Sequence, residues 1–130
     1  MYQLLGDSIM RRLLWHRPNT FHELSHFTCI SGITVSGLLS LVKTVKLHTH
    51  VIVLIGVNDI ISQSDVSCVL SMFEILVKYL RRRCSHVILL EVLPIVGLSK
   101  LHLNEWVAKI NRLVNSYLGA SHVSVLKLNQ

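Results

Sequence analysis

Five consecutive apolar residues, Val51-Ile52-Val53-Leu54-Ile55, run up to Gly56 and stop there. Side chains of a strand point alternately to its two faces. A strand apolar at every position therefore needs cover on both faces, which a parallel sheet between layers of helix supplies. The flanking segments fit that demand. Residues 2–5 and 27–30 read as short apolar strands, and 86–91 as another that cannot continue past Pro94. Residues 123–128 alternate as a fifth strand.

Between these runs the apolar spacing changes to the helical period. Val35, Leu38, Leu39, Leu41, Val42 and Val45 line one face of a helix over 34–46. Val66, Val69, Leu70, Phe73, Leu76, Val77 and Leu80 line another that starts at Ser64 or Asp65 and ends near Arg82. Residues 8–15 and 103–118 complete the set, the latter closed by Gly119. Thr20-Phe21-His22-Glu23 has the form of a capping box, which predicts a short helical turn through His26. Strand and helix alternate from end to end, so the expected class is α/β, a single domain over residues 1–130 with a five-stranded parallel sheet.

Composition narrows the function. Half the residues are apolar and 15% are charged, with a mean hydropathy of +0.51. Even so, no apolar run approaches the about 18–20 residues of a membrane span. No basic leader precedes the first strand, and the expected location is cytoplasmic. Cys29, Cys68 and Cys84 are odd in number and widely spaced, as free thiols in a reducing compartment would be. Thirteen basic residues against seven acidic ones give a net charge of +6. That excess favours solubility, and it also favours phosphate or another anionic partner.

Three loops follow carboxyl ends of strands, and on a parallel sheet all such loops share one rim. They are Gly6-Asp7-Ser8, Ile30-Ser31-Gly32 and Gly56-Val57-Asn58-Asp59. Ligands of open α/β sheets bind along that rim. A serine at a sharp strand-to-helix turn exposes its hydroxyl and places its own N–H among the unpaired donors of the helix start. Ser8 can then attack a carbonyl. The N–H groups of Ser8 and Gly32 and the Asn58 carboxamide can face the oxyanion that forms. Asp7 and Asp59 are expected to cap their own turns.

In these blocks the chain resembles the SGNH, or GDSL-type, hydrolases. The resemblance implies a flavodoxin-like three-layer α/β/α sandwich and a serine esterase acting on a small acyl ester. It casts Ser8 as nucleophile and Gly32 and Asn58 as the oxyanion hole, with no cofactor and no metal. Leu93-Pro94 and the Asn111 helix are similar to the family as well. The family's last block, Asp-x-x-His, follows the fifth strand, whereas this sequence reaches Leu128-Asn129-Gln130 without it. Ser99-Lys100-Leu101-His102 resembles the block one strand early and makes His102 the substitute base. Three readings stay open: an enzyme truncated after the fifth strand, an enzyme with a displaced base, and a hydrolase fold kept for binding RNA or protein. The chain is similar in this last respect to OSK domains, hydrolase-like domains without a working triad. Lys78, Arg81, Arg82 and Arg83, at the end of a helix, are the residues such a partner would meet. His22-Glu23-Leu24-Ser25-His26 matches a zinc-protease motif, but a third ligand at a family spacing is missing. His48 and His50 read as a solvated loop.

Overall fold

The computed structural model describes residues 2–7, 24–62, 64–92 and 103–126. Five strands form one sheet: β1 (Tyr2–Gly6), β2 (Leu24–Cys29), β3 (His50–Leu54), β4 (His86–Leu90) and β5 (Val123–Leu126). Their order is β2-β1-β3-β4-β5, and every neighbouring pair is parallel. This is the flavodoxin-like α/β architecture expected above, with its direction of winding reversed between β1 and β3. β3 pairs with β1 on one side and β4 on the other, as its unbroken apolar run demands.

Four helices are described: α1 (Val35–Val42), α2 (Val57–Ile61), α3 (Val66–Arg83) and α4 (Leu103–Asn115). The buried stripes of α1, α3 and α4 pack with Leu5, Val51, Val53, Val87 and Leu89 in one continuous core. The alternate residues Leu4, Ile52, Leu54 and Leu90 form a second apolar cluster on the opposite face. Both faces are thus closed to water, at about 1.5–3 kcal/mol of stabilisation for each large side chain removed from it.

Several boundaries move from their predicted places. The capping-box turn does not extend through His26, because Leu24 to Cys29 pair with β1 as a strand. The ladder satisfies more backbone groups than a single helical turn would. The helix predicted over 34–46 stops at Val42, where Thr44 turns back and both its N–H and its hydroxyl donate to the Leu41 carbonyl at 2.9 Å. The helix predicted to 118 ends at Asn115, and turns lead to Gly119 at φ +83°. The loop predicted to hold Asn58 is itself the short helix α2. His50 is not a solvated loop residue. It opens β3 half-buried, its ring edge-on to Tyr2 and 6.2 Å from that of His86.

Two buried polar side chains hold loops to this frame. Gln3, fully buried in β1, donates to the Thr28 hydroxyl at 3.1 Å and to the Lys46 carbonyl at 3.3 Å, and accepts from the His48 N–H at 3.0 Å. It fixes the segment between α1 and β3. Asn111 of α4 does the same for the end of β4. Its Oδ1 accepts the Val92 N–H at 2.7 Å and its Nδ2 donates to the Val92 carbonyl at 2.8 Å. Cys68, exposed, and Cys84, buried, are free thiols. No described helix is long and apolar enough to cross a membrane.

Candidate functional site

Winding reverses between β1 and β3, the place on such sheets where ligands bind at the carboxyl-end rim, and the residues there meet through Asn58. An asparagine amide carries two N–H donors. Those of Asn58 reach Asp7 Oδ2 at 3.3 Å and the Ile33 carbonyl at 3.0 Å. The loop containing Ile33 is tied to the sheet as well, through the Ile30 N–H on the Gly6 carbonyl at 3.0 Å. From Ile30 the chain turns tightly, Ile33 N–H to Ile30 carbonyl at 3.2 Å, with Gly32 at φ +77° in the third position. A type II turn requires a positive φ there, which explains the glycine. Space does not, since a Cβ on Gly32 would touch nothing within 4 Å.

Asp59 lies beside Asn58 and is 5% exposed. Its carboxylate reaches beyond its own turn, where it was expected to serve as a cap. Its Oδ2 accepts the Val35 N–H at 2.9 Å, an orphan donor in the first turn of α1. The Thr34 hydroxyl accepts a second, from Gly37 at 3.2 Å. α2 therefore secures the start of α1, and with it the Gly32 turn. Burial pushes the Asp59 carboxyl above its usual range, opposed by the hydrogen bonds from Val35 and from its own N–H. A raised value means that the folded state holds the proton more tightly than the unfolded chain does. The stabilisation from that bound proton is complete below the unfolded value and is lost as pH rises through the folded one. Asp59→Asn keeps an acceptor for Val35 without a buried charge. Urea titrations are expected to show a flatter decline in stability from about pH 4 to pH 7 for Asp59→Asn than for the parent. Equal slopes would remove Asp59 as the titrating group.

The structure thus brings Asp7, Asn58 and the loop of Gly32 to one edge, as three separated sequence blocks led one to expect. Ser8 and His102 lie outside the described residues, as do His22 and residues 8–15. The zinc motif requires both histidines on one helical face, whereas His26 stands in β2. Among the described residues no group of three or more His, Cys, Asp or Glu could hold a metal ion. Sequence reasoning did not find the bracing roles of Gln3, Asp59 and Asn111. For Asp59 the signal was present, an acidic residue following Asn58, but its partner is 24 residues away.

The model of the OSK domain family matches residues 1–130. The chain belongs to the OSK domain family. The crystal structure of the OSK domain of Drosophila Oskar is similar to it, with 26% identity and a TM-score of 0.77. That likeness covers 95% of this chain, which spans 62% of the Oskar chain. A member of the lipolytic G-D-S-L family from Veillonella parvula shares the fold at 18% identity and a TM-score of 0.78, over 97% of this chain and 76% of that one. A GDSL-like lipase from Bacteroides thetaiotaomicron does so at 17% and 0.75, over 97% of this chain and 67% of that one. No curated protein matches the chain. An OSK domain is therefore built here on the scaffold of the GDSL hydrolases.

Proposed function

We propose that this OSK domain is a non-catalytic binding module on a hydrolase scaffold, and that its ligand is RNA. The distribution of charge around the sheet carries this reading. α1 and α3 both run from the carboxyl-end rim to the amino-end rim. Lys43, Lys46, Arg81, Arg82 and Arg83 are exposed where the two helices stop, with Lys78 one turn earlier on α3. Six of the thirteen basic residues are thus gathered at one end of the described structure. At the other end, the carboxamide that an esterase would turn to an oxyanion has both its donors engaged by Asp7 and Ile33. A cationic rim attracts a phosphate backbone by releasing its counterions, so binding must weaken with salt.

Each phosphate contact to a single strand adds about −0.7 to the slope of log affinity against log salt. Replacing Arg81, Arg82 and Arg83 by glutamine is expected to flatten that slope by about 2. Fluorescence anisotropy on a single-stranded RNA at several salt concentrations measures it. No binding by the parent at low salt would overturn the reading.

The meeting of Asp7, the Gly32 loop and Asn58 at one edge favours a second reading, a serine acyl hydrolase. In it Ser8 attacks the acyl carbonyl, Gly32 and Asn58 hold the oxyanion and His102 takes the proton. A fluorophosphonate that labels the parent but not Ser8→Ala would decide for it, because only an activated hydroxyl reacts.

A further inference from the structure

We infer that the groove between the end of α1 and the last turn of α3 is a subsite for one unpaired nucleotide. The inference rests on the RNA reading and adds to it a place where a base is held. The groove has a volume of about 470 Å³, within the ~300–1,000 Å³ of small-molecule sites. Its described lining is Val42, Lys43, Val45, Leu47, Tyr79 and Arg83, with apolar and cationic groups but no carboxylate. Tyr79 and Arg83 are one helical turn apart on α3, and the Arg83 guanidinium lies over the Tyr79 ring, 4.2 Å from its centroid. That contact restrains the guanidinium in the groove wall.

Single-stranded RNA is recognised by bases stacked on aromatic rings or guanidinium groups and by phosphates on nearby cations. Here the lining that a ligand would meet is mainly polar, with Val42, Val45 and Leu47 behind it, and Lys43 stands at the edge for the nucleotide's own phosphate. Arg81 and Arg82 are exposed on other faces of the same helix end, Arg81 donating to the Ser121 carbonyl at 3.4 Å, and add positive charge around the groove without lining it. The opposite wall is also firm. Gln3 pins Lys46 and His48 from inside the sheet, so the segment carrying Val45 and Leu47 is preorganised and little ordering cost falls on binding.

The test compares an oligouridylate with a chain of the same length and charge whose bases have been removed. The parent is expected to prefer the intact strand roughly 5- to 100-fold, the range of one stacked base. Arg83→Lys keeps the charge and loses the plane, and Tyr79→Leu keeps the apolar fill and loses the ring. Both are expected to bring the preference close to unity, by anisotropy at fixed salt. A preference unchanged in both variants, with RNA affinity still lowered by neutralising Arg81 and Arg82, overturns the subsite and leaves the RNA reading standing. Absence of binding to either strand at low salt overturns both.

Discussion

Gly6→Ala is expected to destabilise the fold by about 3 kcal/mol or more. Gly6 closes β1, in register with Cys29 on one side and Leu54 on the other. A Cβ at this position would overlap the Leu54 carbonyl oxygen. The obstacle is main chain in the two central strands, so no rotamer change relieves it. Overpacking against side chains costs about 1–3 kcal/mol, and a backbone clash lies at or above the top of that range. Against a total of about 5–15 kcal/mol for a domain, a loss near 4 kcal/mol removes a large fraction of the stability. Circular dichroism with urea titration measures it, and a midpoint equal to the parent's would show that β1 and β3 can separate locally. This glycine is thus required by sheet packing alone.

Asn111→Leu is expected to cost about 2–5 kcal/mol. Leucine has nearly the same size and a better helix propensity, so α4 itself gains slightly. What is lost is the pair of hydrogen bonds to Val92, a residue only 2% exposed. A buried backbone group left without a partner costs about 1–3 kcal/mol, and two are stranded together. Asn115 reinforces the same corner, its Nδ2 donating to Glu91 at 2.5 Å and to the Asn111 carbonyl at 2.8 Å. Asn111→Asp retains an acceptor for the Val92 N–H but sets a carboxylate against the Val92 carbonyl, so it should fall between parent and leucine variant. Denaturant midpoints of the three proteins give the order. A loss below about 1 kcal/mol in Asn111→Leu would mean that water takes over both bonds.

What could be read in advance follows a physical line. The β3 run is apolar at every position because both its faces are buried, the stripes of α1, α3 and α4 repeat every 3.6 residues, and burial enforces either pattern within a short window. Asp65 at the start of α3 is equally local, its carboxylate accepting from Ser67 at 2.8 Å and Cys68 at 3.3 Å. The capping box at Thr20 was local too, yet it misled about residues 24–26. Pairing with β1 supplied those residues with a complete ladder, and tertiary contact overrode propensity. The short helix α2 carries too few residues for a period to show.

The candidate site divides along the same line. The blocks holding Asp7, Gly32 and Asn58 were recognisable because each follows a strand, and the parallel sheet puts all such loops on one rim. That the Asn58 amide is spent on Asp7 and Ile33 depends on partners 51 and 25 residues distant. Likewise, the Arg81-Arg82-Arg83 run was plain in the chain, but its union with Lys43 and Lys46 depends on α1 and α3 ending side by side. By itself, the order of residues determined the alternation of strand and helix, the positive charge and the three rim loops. Only the tertiary structure decided which donors remain available and which cations share a groove. Those are distances between groups far apart along the chain, set by the order β2-β1-β3-β4-β5 rather than by any local pattern.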